Sequence, residues 1–344
     1  MEFFKEEEGP NTDKSSKGRE AVRLRCGLSS VMGCAPVMNV AHTAMLNLRK
    51  ETSFFGVFDG FGNVLYNTGH ENGIPSVRRP RTTGKSVARF CARFFHDFFV
   101  KLAAGNDDLI DAMRQSFSRT DERIKGRKGW IYLNHLDGVM QVPKKPPGWK
   151  GPHLVGSTAC VAVLRNNQLI VGNVGDSRCV LSRNRQAIDV STVHKPGLAL
   201  ERERILNAGG TLFEEKIDGC IRFSRGIGFM KFKENEALSA EEQIITCVPD
   251  INEIDITEED EFFILATSRV WDSMTSQQLV DFVHENIDNE IYLSDVCKKV
   301  LDLCPSPLPL IDWGWLSYGG ANDKSIVMIL VQFKKPDQSH SARV

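Results

Sequence analysis

At 344 residues, with 41% apolar and 25% charged side chains, the chain has ordinary globular composition and enough apolar material for a sizeable core. Its formal net charge of −1 gives no sequence-wide field to attract nucleic acid or an anionic membrane, so neither is expected as a partner. Nine cysteines are scattered without a C-x-x-C pair or zinc-like spacing, which favours reduced, buried thiols. The opening Met-Glu-Phe-Phe-Lys lacks a secretory layout and no run of about 18 apolar residues occurs, so a soluble protein of the cytoplasm or nucleus is expected.

Residues 1–20 are acidic and then Ser/Lys-rich, with too little apolar surface to offset the entropy of ordering, and are expected to form a mobile tail. One domain is expected over 21–335, interrupted by two polar, Gly- or Pro-rich stretches at 65–84 and 125–153 that have the character of surface insertions. Between them Val87, Phe90, Cys91, Phe94, Phe95, Phe98 and Leu102 recur at spacings of three and four, the stripe of an amphipathic helix. Trp130, Tyr132 and Trp149 in the second insertion suit either a partner-docking loop or, more simply, core-facing anchors.

From Thr158 the period changes to that of strands. Thr158–Leu164, Leu169–Val174, Arg178–Leu181 and Ala187–Val190 are separated by short polar turns, which predicts an antiparallel meander. A helix from Leu198 through Ile205 is expected to stop at Gly209-Gly210, and another to start at the capping-box pattern Thr275-Ser-Gln-Gln278 and bury Leu279, Phe282, Val283 and Ile287. Residues 336–344 again have the composition of a tail. Strands and helices without regular βαβ alternation favour an α+β layered fold. Gly84-Lys85-Ser86 lacks the preceding glycine and strand of a nucleotide-binding loop, and Arg78-Arg79-Pro80-Arg81 is too short to specify an acidic partner.

The chemistry-bearing motifs begin with Phe54–Asn63, FFGVFDGFGN. In order along the chain come Met38-Asn39-Val40-Ala41-His42, Gly156-Ser157-Thr158-Ala159 and Asn173-Val174-Gly175-Asp176-Ser177-Arg178. His194-Lys195-Pro196 with Glu201 to Ile205 and Ala208-Gly-Gly210, Ser224-Arg225-Gly226-Ile227-Gly228, Asp260 through Ala266 to Trp271-Asp272, and Asn322-Asp323-Lys324-Ser325 complete the series. These blocks resemble, in the same order over most of 20–334, those of the protein phosphatase 2C family of metal-dependent Ser/Thr phosphatases. Their counterparts there are F-x-V-F-D-G-H-G-G, M-E-D-A-H, G-S-T-A, N-x-G-D-S-R, D-H-K-P with its E-x-x-R-I helix, S-R-A-L-G-D, D-E-F-L-I-L-A-S-D-G-L-W-D and D-N-M-T.

The resemblance implies a sandwich of two antiparallel sheets flanked by helices (α-β-β-α), with a site at one end that in the family holds two Mg²⁺ or Mn²⁺ ions. Asp59, Gly60 and Asp176 match metal-site positions, and Asp323 is a candidate through a one-residue ambiguity. Departures fall on the same site: Asn39 and Val40 replace the Glu-Asp pair, Ser268 and Arg269 the Asp-Gly pair, and Asn322 an Asp. Phe61 stands for the proposed general-acid His, Ala35 for the phosphate-binding Arg, Phe229 for the Asp closing its block, and Val193 for the Asp before His-Lys-Pro. Two adjacent dications need several carboxylates, so the expectation is that no metal pair binds and that the catalytic set is not intact. Arg269 could point inward to supply a fixed cation or turn outward along the surface. The resemblance thus implies a pseudophosphatase, monomeric, that binds phosphoproteins, kinases or active phosphatases. The alternatives are a weak Mg²⁺/Mn²⁺-dependent Ser/Thr phosphatase using Asp59, Gly60, Asp176 and Asp323, and a retained fold with no selected role.

Overall fold

The computed structural model describes residues 15–334 apart from 22, 33–37, 50, 63–65, 72–73, 79–82, 105–107, 141, 143, 289–290 and 305–324. Its first strands are β1 (Ser15–Glu20), β2 (Leu24–Val31), β3 (Val40–Arg49), β4 (Thr52–Phe61), β5 (Tyr66–Glu71) and β6 (Ile74–Arg78). Three helices follow, α1 (Gly84–Ala103), α2 (Leu109–Lys125) and α3 (Arg127–Leu136), then β7 (Gly156–Arg165), β8 (Gln168–Val174), β9 (Arg178–Arg183) and β10 (Gln186–Asp189). After α4 (Ala199–Asn207) come the short strands β11 (Leu212–Phe213), β12 (Lys216–Ile217) and β13 (Ile227–Gly228) and a 3₁₀ turn, Met230–Lys233. The remainder is β14 (Asp250–Asp255), β15 (Asp260–Ala266), α5 (Ser268–Ser273), α6 (Ser276–Asn286), α7 (Leu293–Leu303) and β16 (Ile326–Phe333).

Two antiparallel sheets, ordered β1-β2-β16-β15-β9-β10 and β14-β8-β7-β4-β3 with β13 on β7, form the layers. Strand β4 shows how the sequence sets them face to face. Its residues alternate: Phe54 and Phe58 pack on α1, while Phe55 and Val57 enter the core shared with the other sheet, where the Phe55 ring meets Phe263 edge-on at 5.4 Å. Val87, Cys91, Phe95 and Phe99 form the buried i, i+4 row of α1, so Phe99 takes the fully buried place expected of Phe98. Helices α5, α6 and α7 cover the outer face of the first sheet through Val270, Leu279, Val283, Val296 and Val300. The result is the expected α-β-β-α order of layers.

Several expectations are corrected. The four strands from Thr158 exist, but they are not one meander: β7 and β8 belong to one sheet and β9 and β10 to the other, so the chain crosses the sandwich at Gly175–Ser177. Gly175 has φ +114°, and a Cβ there would collide with Thr158, which explains the glycine at the crossing. Within the stretch 125–153, α3 occupies Arg127–Leu136. Trp130 is 2% exposed and its ring is 5.1 Å from that of Trp149, so both serve packing, whereas Tyr132 lies on Phe94 and stays exposed. Residues 66–71 and 74–78 pair as β5 and β6, and 15–20 form an edge strand on β2, while the rest of the expected N-terminal tail, 1–14, lies outside the described residues. The expected tail at 336–344 lies outside the described residues.

The predicted helix ends hold. Gly209 has φ +84° and Gly210 donates to the Ile205 carbonyl at 2.8 Å, closing α4. The Thr275–Gln278 capping box is formed at the start of α6. Eight cysteines are described, all as free thiols and seven of them buried; burial pushes the Cys247 thiol up to about 12.

Candidate functional site

The end of β4 is fixed from two sides. Gly60 donates to the Asn39 carbonyl at 3.0 Å, and the backbone of Gly60–Phe61 lies against Gly84 at the start of α1 so closely that a Cβ on either glycine would strike the other segment's backbone. Thr83 caps α1 by accepting from the Ser86 N–H at 3.2 Å, and its hydroxyl donates to Asp137 Oδ1 at 2.6 Å. The antiparallel register then sets Asp59 between Val40 on β3 and Thr158 on β7.

Asp176 reaches the same end of the sandwich through the crossing between β8 and β9. Asn173 Nδ2 donates to the carbonyls of Gly175, Ser177 and Thr192, while Gly175 N–H donates to His194 Nδ1 at 3.2 Å and its carbonyl accepts from the His194 N–H at 2.9 Å. Because Nδ1 accepts, the neutral ring carries its proton on Nε2, 3.2 Å from Asp250 Oδ2. Burial lowers the His194 pKa, and His194 followed by Arg225 holds the Asp250 carboxyl at about 2. Behind it, Glu201 accepts from Arg225 Nη2 at 2.6 Å, from Arg204 Nη2 at 2.8 Å and from the Ser224 hydroxyl. Burial alone would raise the Glu201 pKa, but these donors outweigh it and hold it below the usual range. The His-Lys-Pro, Glu-x-x-Arg and Ser-Arg motifs therefore meet as a scaffold that fixes the Asp176 turn.

Asp176 is buried, which pushes its carboxyl pKa up; Arg222 and Lys195 oppose the rise and Asp272 adds to it. Arg222 Nη1 is 3.9 Å from Asp272 Oδ2, and the Arg178 guanidinium lies 5.8 Å from the Trp271 ring centre. The face of Asp176 is thus a mixed-charge cluster. Sequence reasoning did not single out Asp272 or Arg222, although the Trp271-Asp272 pair closing its motif was the available signal for the first.

The described positions at this end of the sandwich carry few hard oxygen donors for divalent cations. Val40 and Asn39 are buried beside Asp59, and Ser268 and Arg269 are buried at the start of α5. Arg269 is 9% exposed, which removes the outward, surface-lying alternative, and its charge bears on Cys304 at the end of α7. Among the described residues no group of three or more His, Cys, Asp or Glu could hold a metal ion. Hard dications take several oxygen ligands, whereas these positions offer an isopropyl, an amide, a hydroxyl and a guanidinium. Ala35, Asn322 and Asp323 lie outside the described residues; the Ser325 hydroxyl accepts from the Asn39 N–H at 3.2 Å.

Phe61 is partly buried and belongs to an aromatic group. Its ring centre lies 5.3 Å from Phe223, edge to face, and 6.3 Å from Phe229, and Phe223 and Phe229 are 5.3 Å apart. Two positions expected to be polar from the resemblance are therefore in hydrophobic contact with each other.

No helix among the described residues is long and apolar enough to cross a membrane. The family model for protein phosphatase 2C matches residues 24–308. A rice (Oryza sativa subsp. japonica) relative named probable protein phosphatase 2C 58 is 41% identical over 95% of this chain and 88% of its own length. An Arabidopsis thaliana relative named probable protein phosphatase 2C 60 is 40% identical over 96% of this chain and 92% of its own. The solved serine-threonine phosphatase 2C from Toxoplasma gondii superposes with a TM-score of 0.65 at 18% identity, covering 95% of this chain and all of that one, which supports the shared fold. A sex-determining protein from C. elegans also superposes at 0.65, with 93% of this chain and 67% of that one covered. With the two-sheet sandwich, the ordered motifs and relatives at about 40% identity along nearly its whole length, the chain belongs to the protein phosphatase 2C family.

Proposed function

We propose that this member of the family keeps the fold and has lost two-metal hydrolysis, and that it acts as a pseudophosphatase that binds phosphoproteins, kinases or active phosphatases. The observation that carries the proposal is the pairing of Val40 with Asp59 in the β3–β4 register, with Arg269 buried beside Ser268 on α5. Metal-activated hydrolysis needs a water nucleophile held by cations, and one retained carboxylate at the end of β4 cannot balance two of them. The retained scaffold around Glu201, Arg225 and His194 supports a structural value for the Asp176 turn that does not depend on turnover.

A second reading, Mg²⁺/Mn²⁺-dependent Ser/Thr phosphatase activity through Asp59, Gly60, Asp176 and Asp323, is favoured by the names of the relatives at about 40% identity. The assay that separates the two uses the purified full chain with aryl phosphates and phosphopeptides in millimolar Mn²⁺. The pseudophosphatase reading expects background rates for wild type and Asp59→Asn alike. Turnover that Asp59→Asn abolishes would establish the second reading.

A further inference from the structure

We infer that Phe61, Phe223 and Phe229 form one aromatic clasp that fastens the β13–3₁₀ segment to the end of the β4–β7 sheet. The three rings come from two separate parts of the chain. Phe61 ends β4, whereas Phe223 and Phe229 flank β13, which pairs with the first residues of β7. All three pairwise ring-centre distances, 5.3, 5.3 and 6.3 Å, lie within the range of favourable aromatic contacts.

The setting of Phe229 shows that the clasp is under conformational load. It is a non-glycine residue at φ +54°, in the left-handed region, and its side chain is fully buried. Room for its ring comes from two glycines, Gly156 and Gly226, where a Cβ would press into the ring. Its N–H donates to the Val155 carbonyl at 2.9 Å, so backbone and ring hold the same joint. Around it Ile205, Ile217, Ile221, Phe232 and Ile245 make a separate small core, and Phe61 is the contact of that core with β4. A left-handed aromatic persists only where its surroundings fix it, and the Phe61 and Phe223 rings supply part of that fixing. Phe61 and Phe229 are consequently coupled, and a polar group restored at either one weakens the attachment of the other.

Hydrogen exchange on the purified full chain tests this locally. In Phe61→Ala, amides of 227–233 should lose at least about tenfold in protection while those of α7 are unchanged, since the opening is local. Phe61→Leu, which keeps an apolar side chain but no ring, should lose less. Thermal melting of Phe61→Ala, Phe223→Ala and the double variant should give a combined fall in Tm smaller than the sum of the two single falls. Unchanged protection at 227–233 in Phe61→Ala would overturn the clasp, as would additive Tm shifts.

Discussion

Val40 stands directly opposite Asp59 across β3 and β4, so their side chains project from the same face of the sheet. Val40 is 4% exposed and packed with Phe55 and Val57 in the core between the sheets. The carboxylate kept at the end of β4 therefore has an isopropyl group as its cross-strand neighbour, and the position has been taken into the hydrophobic core.

Restoring charge at this position should cost stability before it restores chemistry. Val40→Asp alone is expected to destabilise the chain by about 2–4 kcal/mol, because it removes buried methyls and places an ionisable group beside Asp59. A denaturant midpoint at pH 7.5 measures this. The quadruple variant Val40→Asp, Ser268→Asp, Arg269→Gly and Asn322→Asp supplies the missing oxygen donors together and removes the buried cation. It should gain Mn²⁺ affinity while remaining without turnover, which would further require Ala35→Arg and Phe61→His. A folded quadruple variant that still takes up no Mn²⁺ would contradict the assignment of these positions.

Asp137 gives a pH signature at the cap of α1. Burial raises its pKa from the ordinary 3.8 to about 6, against the pull of the Thr83 hydroxyl, and its Oδ2 is buried without a hydrogen bond. The folded state thus holds this proton more tightly than the unfolded chain, so stability falls as pH rises from about 4 to 6. Asp137→Asn cannot ionise and should gain about 1–3 kcal/mol relative to wild type above pH 6, with little difference below pH 4. Urea melts at pH 4, 5, 6 and 7.5 read the difference. A wild-type and variant gap independent of pH would refute the account of this cap.

The Glu201 cluster should show the opposite pH sense. Its carboxylate is held below the ordinary 4.5 by Arg225, Arg204 and Ser224, against burial, so its contribution is complete above that value and is lost as pH falls through the lowered folded pKa. Glu201→Gln leaves the partly buried Arg204 charge without its carboxylate and Arg225 with Asp250 alone, and is expected to cost about 3–5 kcal/mol at pH 7. The cost should shrink in acid, where the wild-type group also becomes neutral. Chemical denaturation at pH 7 and pH 3.5 checks both parts.

The sequence made the long-period features readable. Val87 to Leu102 predicted α1 because a helix of 20 residues repeats its buried row several times, and the Thr275–Gln278 box fixed the start of α6. What periodicity could not show was partnership between distant segments. The short apolar runs Thr158–Leu164 and Arg178–Leu181 have the same character whether the strands share a sheet or face each other, so the crossing at Gly175 was hidden. Helix α3 was lost because Gly129 and the polar run around it lack a long apolar stripe, although Trp130 and Leu133 are buried. Motif order located Asp59, Asp176 and Ser268, but the contact of Phe61 with Phe223 and Phe229 joins residues more than 160 positions apart, and no local pattern encodes it.

The central proposal, that the family's metal pair has no home in this chain, is tested most directly by calorimetric titration of Mn²⁺ into the purified chain after chelation. The account predicts no saturable heat up to millimolar Mn²⁺ and a melting temperature unchanged within about a degree by chelator, because a ligand that does not bind the native state adds nothing to its stability. Saturable binding of two ions, lost in Asp59→Asn and accompanied by a rise in melting temperature, would contradict it.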